Sequence, residues 1–209
     1  VSDFHYFSRQ TPLLSTQELA KTKSFSHSIG EKTLQFLTSN AVFSKAGFDS
    51  GSDLLLRMFF DHSSARNFPR IGDLGCGYGA IGVFCAARYP KAQVFSIDVN
   101  ARAVQLCAAS YAKNELRNGF AWCGDGFDAV GDSIFDAILF NPPVRAGNAV
   151  IAKLFDDCQR TLSPSGELWV VLRTAQGAKT WAKRLQNQFG SCETIEISSG
   201  YRILLVKKI

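Results

Sequence analysis

From Leu54 onward, short continuous apolar runs alternate with longer stretches whose apolar positions recur at helical spacing, and Gly, Asn or Asp marks most of the junctions. Ile71 to Leu74 predicts a strand, Ala80 to Arg88 a helix, Ala92 to Asp98 a buried strand, and Ala101 to Asn114 a helix capped by Asn100. "FAWC" and "FDAILF" predict two further strands, and Val150, Ile151, Leu154, Phe155, Cys158 and Leu162 form the stripe of a helix. "GELWVVL" predicts a strand and Ala178 to Phe189 a helix; "CETIEIS" and "YRILLVK" then close the chain as two strands joined across Ser198 to Gly200. Alternation of this kind predicts an α/β fold, a doubly wound, Rossmann-like, mostly parallel sheet of seven strands with the antiparallel C-terminal strand at one edge.

Residues 1–50 break the pattern, being rich in Ser, Thr and Lys with only brief apolar runs, and they predict an N-terminal arm ahead of a core domain over 51–209. At 209 residues, 46% hydrophobic and 20% charged, the chain has enough apolar side chains for one full core. The lack of a membrane-spanning run and of a basic, then apolar, N-terminal leader predicts a soluble cytoplasmic protein. Six cysteines stand singly, without a CxxC pair, in surroundings such as "VFCAA" and "QLCAA"; they predict buried thiols and no metal site. The net charge of +5 is uneven: from Asn141 onward ten basic residues face five acidic ones, which accounts for the whole excess. A basic C-terminal third is either a solvated face or a surface for phosphates.

In a doubly wound sheet ligands bind beyond the carboxyl ends of the strands. Four such ends carry "DLGCGYGAIG", "DVN", "GDGF" and "NPPV". The glycines after Asp73 let the backbone turn tightly and let a ligand approach the main chain. Gly77 to Gly82 also fits the GxGxxG pattern of dinucleotide sites, but Asp73 and Gly75 already occupy the strand end and displace the pattern by two residues. Asp98 ends the next strand, where a carboxylate accepts both hydroxyls of a ribose. Asp125 can accept from an adenine amine, with Phe127 packing on the ring. The oddest end is Asn141-Pro142-Pro143, where an apolar strand stops in an amide and two prolines. Proline fixes φ and has no N–H, so it leaves rigid carbonyls that only accept. The Asn141 oxygen and the Pro142 carbonyl can take both hydrogens of a planar exocyclic amine, aligning its nitrogen with an electrophile such as a sulfonium methyl.

The four ends in this order resemble the class I S-adenosylmethionine-dependent methyltransferases, in particular the "methyltransferase small" family of ribosomal RNA guanine-N2 methyltransferases. The segments "AVFSKAGFDSGSDLLL" and "GELWVVLRTAQGAKTWAKRLQNQFG" extend the resemblance over nearly the whole chain. It implies that Asp73, Gly75 and Gly77 line the methionine part of S-adenosylmethionine, Asp98 the ribose, and Asp125 with Phe127 the adenine. By the same resemblance Phe43, Ser44, Asp49 and Gly51 form a loop over the cofactor, Asn141 and Pro142 hold the amine, and Pro143, Val144 and Arg145 adjoin the substrate. Read from the sequence itself, Ser50 or Ser52 serves equally as the cap of a helix over 53–60.

Two features depart from that family. An aromatic residue usually follows the prolines and stacks on the target base, whereas here the position is Val144, so either another ring such as Phe43 or Phe48 takes the role or the target is not a flipped base. Many bacterial members carry an additional N-terminal copy of the domain, and in its place only the roughly 50-residue arm is expected here. The expected partner is RNA, contacted by Arg145, Arg173, Lys179, Lys183 and Arg184. Protein glutamine, whose side-chain amide presents the same planar amine, is the alternative acceptor, and a non-catalytic cofactor-binding subunit or a nicotinamide-dependent oxidoreductase are the others.

Overall fold

The computed structural model describes residues 11–39, 47–63 and 65–208. Before the main sheet stand a short helix α1 (Thr16–Ala20), closed by a Ser15–Glu18 capping box, and an antiparallel hairpin of β1 (Lys23–Ile29) and β2 (Lys32–Thr38). Helix α2 (Ser50–His62) follows, and then β3 (Arg70–Leu74), α3 (Ala80–Arg88), β4 (Gln93–Asp98), α4 (Ala101–Lys113) and β5 (Gly119–Cys123). The second half contains β6 (Phe135–Phe140), α5 (Asn148–Thr161), β7 (Leu162–Arg173), α6 (Ala178–Phe189), β8 (Gly190–Ser198) and β9 (Tyr201–Lys208).

The seven strands β3 to β9 form one sheet in the order β5-β4-β3-β6-β7-β9-β8. The first five are parallel, and β9 runs antiparallel to both β7 and β8. The antiparallel strand therefore lies one place inside the sheet, with β8 at the edge, rather than at the edge itself. The short turn at Ser199 and Gly200 folds β9 back beside β8, so that "RILLV" fills the interior position and the more polar β8 takes the exposed one.

The apolar pattern explains the layers. Strand β6 is apolar on both faces because helices cover both, as interior parallel strands require. Helices α2, α3 and α4 pack on one face with the hairpin, around Leu55, Phe59, Phe84 and Leu106. Helices α5 and α6 cover the other face, around Phe155, Cys158, Trp181 and Leu185. Helix α3 is buried from Ala80 to Ala86, which is why its sequence has no polar stripe. Phe36 of β2 is fully buried in the first layer, so the residues before α2 contribute to the core and do not merely trail from it.

Local chemistry sets the helix starts. Asn100 Oδ1 accepts from the Arg102 and Ala103 amides and caps α4. Helix α2 begins earlier than its apolar pattern suggests: its cap is Asp49, whose Oδ2 accepts the Ser52 amide at 2.8 Å. Four of the cysteines are buried thiols, but Cys123 is exposed and Cys192 half-buried, because β5 and β8 are the two edges of the sheet. No group of three or more possible metal ligands occurs among the described residues, nor a helix long and apolar enough to cross a membrane.

Candidate functional site

The carboxyl ends of β3, β4, β5, β6 and β7 open on a single cavity of about 720 Å³, within the range typical of small-ligand sites. Gly75, Gly77, Asp98, Asp125, Asn141, Pro142, Pro143, Val144 and Arg145 all line it, together with Asp49 from the start of α2. Residues from four separate strand ends thus converge, as their positions in the sequence predict.

On the β3–β4 side the backbone forms the wall. Gly75 and Gly77 have φ of +70° and +55°, a left-handed conformation that costs glycine nothing. With that geometry the Gly75 and Cys76 amides both reach the Ile97 carbonyl, and the Gly77 amide donates to Asp98 Oδ2 at 2.9 Å. Asp98 Oδ1 accepts from the Asn100 amide at 2.8 Å, so the carboxylate is held by main chain from both sides. Burial pushes its pKa up to about 6, against the pull of the Asn100 and Gly77 amides. Asp125 is anchored differently: Lys153 Nζ stands 3.6 Å from its Oδ1 and donates to its carbonyl. Asp98 and Asp125 give this side of the cavity a negative lining suited to a cationic ligand.

The β6–β7–β9 side has the opposite character. Asn141 Nδ2 donates to Asp49 Oδ2 at 2.9 Å and to Ser52 Oγ at 3.0 Å, which uses both hydrogens of the amide. Its Oδ1, without a hydrogen-bond partner among the described residues, is then the polar atom left for a ligand, and it can only accept. The Pro142 carbonyl accepts the Val144 amide at 2.9 Å as the chain enters a 3-10 turn over Val144–Ala146, and one lone pair remains. Arg145 and Arg173 line the wall beyond, with Arg173 lying over the Tyr201 ring at 4.8 Å. Among the described residues neither arginine pairs with a carboxylate, in contrast to Arg160, which meets Asp132 and Asp157.

Several predicted residues lie elsewhere. Asp73 is fully buried beneath the glycine turn, where its Oδ2 accepts from the Gly82 amide at 2.8 Å and from Ser96 Oγ at 3.3 Å. It ties α3 to β3 and β4 and does not reach the cavity; burial pushes its pKa up to about 7. Phe127 is also fully buried, its ring 4.7 Å from that of Phe135, because Gly126 turns the chain inward and the Phe127 amide is fixed by Asp157 Oδ2. It therefore cannot pack on an adenine ring in this arrangement. Gly51 sits in the first turn of α2, where a Cβ would come within 2.9 Å of Tyr201, so its small size serves that ring. Asp49 reaches the cavity, but its Oδ2 faces Asn141 and Ser52. Phe48 stacks on His27 at 4.0 Å and packs edge-on to Phe36 and Phe84, away from the site. Phe43 and Ser44 fall outside the described residues. Tyr201 lines the cavity without any local sequence signal, since an aromatic residue at the head of a strand is ordinary.

Comparison with known proteins bears on the family and the fold. The model of the family described as "Methyltransferase small domain" matches residues 33–205. The uncharacterized protein YbxB of Bacillus subtilis is 33% identical over 206 residues, covering 98% of each chain. Ribosomal RNA large subunit methyltransferase G of Shewanella amazonensis is 30% identical over 187 residues, which cover 86% of this chain and 47% of that protein. Among solved structures, the T. thermophilus 16S rRNA N2 G1207 methyltransferase in complex with AdoMet and guanosine superposes with a TM-score of 0.80 at 25% identity, covering 90% of this chain and 50% of that one. The chain thus spans the whole of one relative and about half the length of the ribosomal RNA methyltransferases it matches.

Proposed function

The chain belongs to the methyltransferase small domain family, and we propose that it methylates the exocyclic N2 amine of guanine in ribosomal RNA. The family's cofactor, S-adenosylmethionine, supplies a methyl group on a positively charged sulfur. The cavity fits that molecule by its own features: its volume suits a nucleoside, Asp98 at the end of β4 is aimed by two backbone amides, and its lining is acidic where a cation is to be held. In this reading Asp98 accepts the ribose hydroxyls, Asp125 the adenine amine, and Gly75 with Gly77 let the methionine part lie against the main chain.

The single observation that carries the proposal is the amide of Asn141. Because Asp49 and Ser52 take both of its hydrogens, the amide offers only Oδ1 to a ligand. That oxygen and the remaining lone pair on the Pro142 carbonyl are two acceptors on a rigid turn, matched to the two hydrogens of one planar amine. Holding both hydrogens fixes the plane of the amine and aims its nitrogen at the cofactor side. Alignment of that kind contributes through geometry rather than by removing a proton, so no strong base beside Asn141 is required. After transfer the nitrogen carries one proton in excess, which leaves to water.

Guanine in RNA is supported by the other wall. Among the described residues Arg145 and Arg173 face the cavity without carboxylate partners, and Lys179 and Lys183 of α6 pair with none either, leaving cations available for phosphates. Arg173, lying on Tyr201, presents a flat guanidinium on which a flipped base can stack, which offsets the missing aromatic at Val144. In this reading residues from 51 onward form the catalytic domain, and the protein works beside its RNA in the cytoplasm.

The test is incubation with radiolabelled S-adenosylmethionine and an undermethylated cell extract, with Asn141→Ala alongside. Label in RNA that disappears in the variant supports the proposal. Label recovered in protein would instead indicate a glutamine acceptor.

A further inference from the structure

We propose that Asp49 and Ser52 are positioning residues that set the orientation of the Asn141 amide; this rests on the amine-methylating reading above and goes beyond it by naming what makes Asn141 an acceptor. An asparagine side chain is ambiguous by nature, because rotation by half a turn exchanges a donor for an acceptor at nearly the same place. At the mouth of an amine site the distinction decides function. A carbonyl oxygen toward the amine holds it, whereas an NH2 group there repels it.

The neighbours remove the ambiguity. Asp49 Oδ2 accepts three hydrogens, from the Ser52 amide at 2.8 Å, from Ser52 Oγ at 3.2 Å and from Asn141 Nδ2 at 2.9 Å. A carboxylate oxygen offers acceptors only, so the flipped amide would set Oδ1 against it at the same distance. Ser52 is not neutral in this respect either. Its hydroxyl proton is directed to Asp49, which leaves the oxygen's lone pairs toward Asn141, and Nδ2 lies 3.0 Å away. Both neighbours therefore demand a donor. Asp49 and Ser52 lie 92 and 89 positions before Asn141, so this amide docks the start of α2 onto the tip of β6.

Asp49 also caps α2, and a purely structural role would predict that any good capping residue replaces it without effect on the reaction. The two roles separate in a swap. Asp49→Ser keeps a capping side chain, but a hydroxyl donates as readily as it accepts and no longer compels the amide to point its nitrogen inward. Asn141→Asp retains an oxygen toward the ligand but sets two carboxylates together. In the double variant Asp49→Ser with Asn141→Asp the hydroxyl oxygen can accept the Ser52 amide while its proton goes to the carboxylate introduced at position 141, which restores one donor facing one acceptor and again turns an oxygen toward the amine.

Three measurements decide the matter: turnover on a guanine-containing RNA, S-adenosylhomocysteine affinity by calorimetry, and the side-chain amide signals of Asn141 by NMR. Expected are a turnover loss of about tenfold or more in each single variant, cofactor affinity within about threefold of wild type, and recovery to within about fivefold in the swap, as neighbours in one network should couple. Ser52→Ala, which removes one of the two acceptors, should lose less than Asp49→Ser. In the wild type the two Asn141 amide protons should be distinct and slow to exchange; in Asp49→Ser they should exchange rapidly. Full turnover in Asp49→Ser, or a swap no better than the worse single variant, would overturn the inference. The NMR arm needs no methyl transfer: protected amide protons in an enzyme that fails on every amine would uphold the positioning role and sink the function, whereas exposed ones in an active enzyme would do the reverse.

Discussion

The two halves of the cavity are built by opposite means. On the cofactor side, at the ends of β3, β4 and β5, main-chain amides aim the Asp98 carboxylate through contacts between residues within a few positions of a strand end, and Lys153 of α5 reaches in only at Asp125. On the acceptor side, at the ends of β6, β7 and β9, side chains from distant parts of the chain hold one another: Asp49 and Ser52 hold Asn141, and Tyr201 carries Arg173 over a gap left by Gly51. One half is acidic and the other basic. A backbone-built site tolerates sequence change around a fixed ligand, while a side-chain-built one can be retuned to a new acceptor by a few substitutions. Binding and chemistry should therefore come apart under mutation.

Asn141→Ala should produce the largest separation. Loss of one of two aligning acceptors should cut turnover at saturating substrate by at least about a hundredfold, with cofactor affinity within about threefold of wild type by calorimetry. Asp98→Asn should do the reverse. Removing a charged acceptor from the ribose hydroxyls costs roughly 1.5–3 kcal/mol, or about 10- to 150-fold in cofactor affinity, with turnover at saturating cofactor largely kept. The same carboxyl gives a pH signature. With its pKa pushed up to about 6, it is ionised and accepting at pH 8 and becomes protonated as pH falls, so wild-type affinity should weaken below pH 6 while that of Asp98→Asn stays flat. Equal pH profiles for the two proteins would remove Asp98 from the ribose.

Next in size, Arg173→Ala should raise KM for RNA by about tenfold, since stacking a base contributes roughly 1–3 kcal/mol, and adding Val144→Phe should recover part of that loss. No recovery would mean that Arg173 meets phosphate rather than the base. The smallest effect falls beneath the turn, on stability. Asp73 is fully buried with its Oδ1 unpartnered, and its pKa is raised from 3.8 to about 7, mainly by burial. A raised folded pKa means stability that is present below pH 4 and lost as pH rises through 7. The melting temperature of Asp73→Asn minus that of wild type should therefore grow between pH 4 and pH 7 and level off above; a constant difference would show that the ionisation of Asp73 is not coupled to folding.

What the sequence disclosed follows the same division. Strand ends, the Asn100 cap and the glycine turn are local patterns, and the structure reproduces them nearly residue for residue. The inward turn of Phe127 was hidden because it depends on the left-handed backbone at Gly126 and on a carboxylate thirty residues later, Asp157. Capping by Asp49 instead of Ser50 or Ser52 could not be read either, since Asp and Ser cap helices equally well. The hairpin over 23–38 was missed because its buried positions, Ile29, Leu34 and Phe36, are sparse among serines, lysines and glutamine. Tyr201 and Gly51 are 150 positions apart, and neither alone announces the other.

The central claim is that Asn141 and Pro142 hold both hydrogens of the guanine 2-amine. Inosine is guanosine without that amino group, so single-turnover methyl transfer can be compared on two RNA substrates that differ only by inosine in place of guanosine at the labelled position. The account predicts N2-methylguanosine from the first and no methylated inosine from the second. Transfer to both at similar rates would show that the amine is not the acceptor and that the site works by another geometry.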